Sequence, residues 1–162
     1  MKIYDCTTYY SEDMIIDVRL NVLNEYVHKF VITESTYSHS GEKKKLNFNI
    51  NNFSKFKDKI IYLVIDEEPS GIIDYEKNNI HPDLIPSTKR ANSLRRINLS
   101  YEFMQRAINE ANEEDLIILS DNDEIPNLSS KEFQNNKHDI IIFKQLFFYY
   151  KFNLLYDLVP WF

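Results

Sequence analysis

The strongest constraint on the fold comes from residues 116–126, where a short apolar run stops at a cluster of carboxylates. The run reads Leu-Ile-Ile-Leu, and Asp121, Asp123 and Glu124 follow it closely. Four branched apolar residues predict a strand that is buried on both faces, as in parallel sheets covered by helices. Carboxylates do not continue into a dry sheet. We therefore expect them at its carboxyl edge, where open α/β sheets bind ligands.

The spacing of Asp121 and Asp123 indicates a metal site. One residue separates them, and Pro126 favours a tight turn after them, so their oxygens can be directed at one hard cation. Such a cation can in turn hold a diphosphate. The alternative interpretation is a helix cap or an Asx turn, which aspartate commonly forms after a strand.

Composition limits the classes of protein to consider. The length of 162 residues predicts one domain over residues 1–162. A net charge of −6 argues against nucleic acid as the main partner, although a bound divalent metal would still permit a phosphorylated ligand. Cys6 is the only cysteine, which excludes a disulfide and indicates a small buried strand residue. Gly41 and Gly71 are the only glycines, which excludes a glycine-rich phosphate loop.

The two ends of the chain suggest where the protein acts and how long it is. No stretch is long enough to be a transmembrane segment, and the N-terminus lacks a signal-peptide core, which fits a cytoplasmic protein. Residues 140–150 are strongly apolar, and the sequence stops at Pro-Trp-Phe. Natural ends are usually polar, so we expect this sequence to be the N-terminal part of a longer catalytic domain.

The order of predicted elements favours an open α/β sheet. Strands are expected at residues 2–8, 29–34, 60–65, 116–120 and, less regularly, 139–152. A helix between the first two strands follows from the spacing of Ile16, Leu20, Leu23 and Val27, and this strand–helix–strand unit predicts parallel pairing. Residues 66–92 are expected to form an irregular crossover. The second helix is predicted from one apolar stripe: Leu94, Ile97, Tyr101, Met104, Ile108 and Ala111.

Several charged residues are candidates for ligand binding. Glu34 ends a strand at the edge where Asp121 is expected, so it could accept hydrogen bonds from a ribose or a base; the alternative is a strand-end turn. Lys44 belongs to a run of three lysines, which is either a solvated loop or the source of one ligand-binding lysine. Three arginines of the second helix could clamp a phosphate or simply form its solvated face; they are Arg95, Arg96 and Arg106.

Three segments carry a resemblance to a known family: residues 5–10 (DCTTYY), 30–35 (FVITES) and 120–126 (SDNDEIP). With these segments the chain resembles glycosyltransferase family 17, over residues 3–155. The last of these is similar to the family's Asp-x-Asp-Glu-Ile-Pro motif. Further matches are Glu12, Asp13, Val18, Arg19, Leu20, Gly41, Lys44, Leu46 and Phe48.

This resemblance implies a glycosyltransferase A-type fold, a Rossmann-like open mixed sheet flanked by helices. It implies an inverting enzyme, similar to β-1,4-mannosyl-glycoprotein 4-β-N-acetylglucosaminyltransferases, that uses UDP-N-acetylglucosamine, a glycan acceptor and a divalent metal, Mn²⁺ or Mg²⁺. Asp123 would bind the metal, and Asp121 would contact the ribose or hold a water of the metal. Glu34 would lie near the uridine, with Lys44 also at the donor. The catalytic base stays unassigned; it is expected beyond Phe162, with Glu124 as a weaker candidate.

Two other functions fit parts of the pattern. One is a catalytically inactive carbohydrate-binding or interaction domain on the same scaffold. The other is a phosphatase whose nucleophile motif is also Asp-x-Asp after an apolar strand. Such phosphatases need a lysine and a further acidic pair well downstream of the motif. The sequence after Asp123 contains no acidic pair that follows a second apolar strand. A calcium loop is excluded because Pro126 stands where a glycine is required.

Overall fold

The structure is a computed structural model that describes residues 1–148 and 154–161, the last five of these by their backbone alone. Its internal contacts divide the chain into two compact units, Met1–Asn122 and Asp123–Phe162. The expectation of one glycosyltransferase domain over residues 1–162 stays a prediction.

The first unit alternates strands and helices, as the hydrophobic pattern predicts. Its strands are β1 (Ile3–Thr8), β2 (Lys29–Ser35), β3 (Ile60–Ile65) and β4 (Leu116–Leu119). Its helices are α1 (Asp13–Leu23) and α2 (Ile85–Ala107), with 3₁₀ segments at Ile50–Lys59 and Pro82–Leu84.

The four strands form one sheet in the order β3-β2-β1-β4, and every pairing is parallel. The chain moves outward from β1 through β2 to β3, and it then returns to the other side of β1 for β4. The strand order therefore reverses between β1 and β4. This arrangement confirms the open α/β sheet and is that of a Rossmann-like fold.

Helices lie on both faces of this sheet, but the expectation that β4 is buried on both faces is wrong. Ile118 is 6% exposed, whereas Ile117 and Leu119, on the other face of the strand, are 46% and 51% exposed. Successive side chains of a strand point to opposite faces, so Asp5 and Cys6 of β1 mark the two sides. Asp5 bonds to Arg19 of α1, whereas Cys6 clusters with Met104 of α2. Burial raises the pKa of the Cys6 thiol to about 12, so the thiol stays neutral. The interpretation of Cys6 as a buried strand residue is confirmed, with 1% of it exposed.

Helix α2 begins earlier than the sequence pattern predicts. The expected irregular crossover over residues 66–92 is wrong in its last part, because the helix starts at Ile85 with Pro86 in its first turn. Proline is tolerated there since the first backbone N–H groups of a helix have no partner within it. The predicted apolar stripe is correct near Met104 but wrong at Leu94, which is 49% exposed.

The second unit contains a short helix, α3 (Lys131–Gln134), and two strands, β5 (Gln145–Phe148) and β6 (Leu155–Trp161). These strands pair antiparallel in a sheet of their own. The predicted strand region 139–152 is a strand over residues 145–148, and its residues 149–152 lie outside the described part. In the described residues, no helix has both the length and the apolar character needed to cross a membrane.

Candidate functional site

The carboxyl ends of β1 and β4 mark the candidate site. In open α/β sheets, ligands bind outside the strand ends where the strand order reverses, and here that point lies between these two strands. Parallel pairing aligns Cys6 with Leu119, so the turns after both strands leave the sheet at the same level. Asp121 is the second residue after β4 and is exposed.

A buried ion pair stands directly beneath this edge. Arg19 of α1 and Asp5 of β1 are each 1% exposed. The arginine Nε donates to Asp5 Oδ2 over 2.8 Å, and Nη2 donates to Asp5 Oδ1 over 2.7 Å. Two parallel bonds of this kind fix the plane of the guanidinium. The pair therefore orients the remaining N–H groups of Arg19.

Those remaining N–H groups hold the turn after β4. Nη2 also donates to Ser120 Oγ over 2.7 Å. Nη1 donates to the backbone carbonyls of Asp121, at 2.8 Å, and Asn122, at 3.3 Å. Arg19 thus ties α1 and β1 to the main chain of the residue that carries the first carboxylate of the Asp-x-Asp sequence.

A second carboxylate joins the turns that follow β1 and β4. Glu12 Oε2 accepts hydrogen bonds from the backbone N–H groups of Tyr10 and Ser11, both at 2.9 Å. The same oxygen accepts from Asn122 Nδ2 at 3.0 Å. Glu12 therefore links the turn after β1 to the turn after β4.

Glu34 lies at the end of β2 and has a structural environment that the sequence pattern does not reveal. It is 1% exposed, and four protein groups donate to its carboxylate. The donors are Lys44 Nζ (2.7 Å), Asn47 N (2.8 Å), Phe48 N (3.0 Å) and Tyr62 Oη (2.8 Å). Glu34 therefore holds residues 44–48 against the sheet.

These bonds also set the protonation state of Glu34. Burial raises the pKa of the carboxyl, but the hydrogen bonds from Lys44, Asn47, Phe48 and Tyr62 outweigh burial and leave the pKa below its ordinary value. Burial and the bond to Glu34 raise the pKa of Tyr62, so this phenol stays a donor. Glu34 is therefore an anion at neutral pH.

The predicted donor-binding pair, Glu34 and Lys44, thus forms a salt bridge within the protein, with 12% of the lysine side chain exposed. Lys44 Nζ also lies 5.0 Å from the ring centroid of Tyr10. Direct contact of either residue with a nucleoside stays a prediction. What the structure shows is that both build the segment after β2.

The Asp-x-Asp residues can supply part of a metal site. Asp121 belongs to the first unit, whereas Asp123 and Glu124 begin the second; Asp123 is exposed and Glu124 is partly buried. Among the described residues, no three His, Cys, Asp or Glu side chains are grouped to hold a metal ion. One or two carboxylates suit Mg²⁺ or Mn²⁺ when phosphate oxygens and water complete the ligands. Binding of a metal by Asp121 and Asp123 stays a prediction.

The arginines of α2 have different surroundings. Arg96 is bound by both oxygens of Glu68, at 2.8 and 2.9 Å. Arg95 and Arg106 line an open cleft beside α2. A phosphate contact by one of the three stays a prediction.

Reasoning from the sequence missed the ion pair of Asp5 and Arg19 as a functional element. A signal was present: Arg19 falls within the apolar stripe of α1, beside Ile16, Leu20 and Leu23, and Asp5 lies within a strand that is otherwise suited to burial. Opposite charges on two buried elements that adjoin in a strand–helix–strand unit indicate a pair.

The sequence model of glycosyltransferase family 17 matches residues 1–161, nearly the whole chain. No curated protein matches the chain, and no solved structure does.

Proposed function

Because the chain belongs to glycosyltransferase family 17, a family of enzymes that transfer a sugar from a donor to a glycan acceptor, we propose a specific reaction for it. The protein transfers N-acetylglucosamine from UDP-N-acetylglucosamine to a mannose-containing or other glycan, with inversion at the sugar. A divalent cation, Mn²⁺ or Mg²⁺, assists this transfer.

The observation that supports this proposal is the position of Asp121. It follows β4 at the point where the strand order reverses, and Arg19 holds its backbone carbonyl at 2.8 Å. Open α/β sheets bind nucleotides at such points. A carboxylate held there is suited to the diphosphate end of a nucleotide sugar, provided that a cation lies between the two negative groups.

The residues of the chain have separate tasks in this reaction. Asp123 and Asp121 would hold the metal, which when bound neutralises charge on the departing diphosphate. Arg19 and Glu12 keep the turns after β4 and β1 in place, so the donor meets a fixed surface. Glu34 and Lys44 shape the segment after β2, beside the expected position of the nucleoside. The base that activates the acceptor hydroxyl is unassigned, and Glu124 remains a weaker candidate.

The metal and the nucleotide should bind together. Two carboxylates alone make a weak site, and diphosphate oxygens complete the set that these cations favour. Calorimetry should therefore show little heat when Mn²⁺ is added alone and a clear transition when Mn²⁺ is added with UDP. Equal binding of UDP with and without the metal would contradict the metal assignment.

Substitution of the carboxylates tests the assignment directly. Asp123→Ala should abolish metal-dependent UDP binding and leave the fold intact, because an exposed side chain contributes little packing. Asp121→Asn should weaken binding less, since the amide oxygen still accepts a hydrogen bond. Asp139→Ala, another exposed aspartate of the second unit, is the matched control and should bind as the unchanged protein does.

The choice of donor requires a separate measurement. Release of UDP from a panel of UDP-sugars, with Mn²⁺ and with a chelator, should favour UDP-N-acetylglucosamine. Preference for a different sugar would reject the proposed donor but keep the family's activity. Unaltered metal-dependent binding in Asp123→Ala would reject the proposed site.

A further inference from the structure

A cleft in the first unit lies apart from the turn after β4. Its volume is about 580 Å³, within the range of pockets that hold small organic ligands. One wall is a single stripe of α2, and the other is the segment that follows β3. The lining residues include Glu67, Pro69, Arg95, Leu99, Glu102 and Arg106.

A network of contacts holds the second wall against the helix. Arg96 of α2 binds both carboxylate oxygens of Glu68, which is the residue after Glu67. Arg96 Nη1 also donates to the backbone carbonyl of His39 over 3.0 Å. Gly41 makes room for this guanidinium, because a Cβ at that position would collide with Nη2. The cleft is thus bounded by fixed segments.

The charges that line the cleft nearly cancel. Arg95 and Arg106 balance Glu67 and Glu102, while Glu68 is already paired with Arg96. A phosphate or another anion would meet the two glutamates as well as the arginines. Hydroxyl groups suit both, because they donate to carboxylates and accept from guanidinium groups.

The floor of the cleft adds an apolar surface. Leu99 is 8% exposed, and Pro69 lines the opposite wall. A sugar ring carries hydroxyl groups at its edge and C–H groups on its faces, so it can use the charged walls and the apolar floor together. A neutral carbohydrate therefore fits the cleft better than a nucleotide does.

The position of the cleft also suits an acceptor. Residues 67–70 follow the carboxyl end of β3, at the same edge of the parallel sheet as the turn after β4. Three strand spacings separate β3 from β4, which is about 14 Å. An oligosaccharide of several units can extend over such a distance.

We propose that the cleft between residues 67–70 and α2 binds a sugar unit of the glycan acceptor, at a distance from the hydroxyl that receives the transferred sugar. This inference rests on the proposed function. It assigns Glu102 and Arg106 as residues that determine acceptor affinity and have no contact with the donor.

Binding measurements on the whole chain can test the cleft independently of transfer. The first probe is a neutral mannose-containing oligosaccharide, whose binding is detected by saturation-transfer NMR. The second probe is inorganic phosphate, which is added as a competitor. Glu102→Gln and Arg106→Gln should each weaken oligosaccharide binding about tenfold, as expected for a hydrogen bond to a charged group. The matched controls Glu110→Gln and Arg90→Gln alter exposed residues outside the lining and should leave binding unchanged.

UDP affinity in the presence of Mn²⁺ is measured on the same samples. The expected result is unchanged UDP affinity in all four variants, with loss of oligosaccharide binding in the two cleft variants only. Absence of oligosaccharide binding, equal binding by the cleft variants and controls, or displacement of the oligosaccharide by phosphate would overturn the cleft assignment. Lack of metal-dependent UDP binding in the unchanged protein would instead overturn the proposed function.

Discussion

Arg19 illustrates how one buried side chain can organise a site that it does not enter. A guanidinium has five N–H donors, and in this protein its hydrogen bonds include two with Asp5 and three with residues 120–122. Burying a charged group is costly unless an opposite charge and hydrogen-bond partners replace the lost water. The ion pair is therefore tolerated because the turn after β4 supplies the remaining acceptors.

The two parts of this network can be separated by substitution. Arg19→Met should lower the free energy of unfolding by about 3–5 kcal/mol, because Asp5 is left buried without its partner. Adding Asp5→Leu should restore much of that stability, since an apolar pair of similar volume replaces the ions. The double variant should still bind UDP and Mn²⁺ more weakly than the unchanged protein, because the carbonyls of residues 121 and 122 lose their hydrogen bonds from Arg19.

Urea unfolding and calorimetry on the same samples measure the two effects. Lys77→Met is the control: it breaks an exposed lysine–aspartate pair and should leave UDP affinity unchanged. Full recovery of UDP binding in the double variant would show that the bonds from Arg19 to residues 120–122 do not matter for the ligand.

Glu34 gives a prediction about acid stability. Its pKa in the folded protein lies below the ordinary 4.5, so its contribution to stability is present above pH 4.5 and is lost as the pH falls through the lower, folded-state pKa. At pH 7, Glu34→Gln should lower the free energy of unfolding by about 1–3 kcal/mol, because donors lose a charged acceptor. The difference between the two proteins should narrow below pH 4.5.

Urea unfolding at pH 7, 5, 4 and 3 follows this difference. Glu110→Gln, at an exposed position, should show no comparable dependence on pH. A constant gap between Glu34→Gln and the unchanged protein at every pH would mean that the charge of Glu34 does not stabilise the fold.

At the scale of elements, the turn around Gly41 connects the segment after β2 with helix α2. Gly41 has φ of 93°, a conformation that costs residues with a Cβ about 1–2 kcal/mol. Its Cβ would also collide with Arg96 Nη2, which binds Glu68. Gly41→Ala should therefore destabilise the protein by more than backbone strain alone and should disturb the cleft beside α2.

Gly71 provides the comparison. Its φ is 77°, but its Cβ would come no closer than 3.3 Å to the flexible Arg95 side chain. Thermal unfolding should show a smaller loss for Gly71→Ala than for Gly41→Ala. Equal losses would indicate that backbone strain, and not the contact with Arg96, accounts for the effect.

At the scale of the molecule, the boundary between the two units falls within the Asp-x-Asp sequence. The first unit contains the whole parallel sheet and both of its covering helices. We expect residues 1–122, expressed alone, to unfold cooperatively in urea, because the sheet and its helices form their own hydrophobic core. A fragment without a cooperative transition would show that this core needs the second unit.

A slightly longer fragment tests the proposed role of Asp123. Residues 1–126 retain Asp123, whereas residues 1–122 lack it. Calorimetry should therefore detect Mn²⁺-dependent UDP binding only in the longer fragment. Equal binding by both fragments would exclude Asp123 as a necessary ligand.

Local patterns in the sequence were sufficient to predict the strands of the parallel sheet and the position of Asp121 after a strand. Segments rich in β-branched and aromatic residues placed β1, β2, β3 and β4 close to their observed bounds, because such residues favour the packed surface of a sheet. Burial on both faces was not predicted correctly for β4, whose Ile117 and Leu119 are exposed. The abrupt change from Leu119 to polar residues placed Asp121 at a strand end. The family resemblance, confirmed by the match over residues 1–161, also rests on such local motifs.

The partners of the charged side chains were decided only by the tertiary structure. Arg19 and residues 120–122 are about a hundred positions apart, and they meet because β4 pairs with β1 on the side opposite β2. Glu34 and Tyr62 meet because β3 pairs with β2 in parallel register. A sequence pattern specifies which residues are buried together on one element. Hydrogen-bond partners depend on strand order and register, which arise from the packing of the whole sheet.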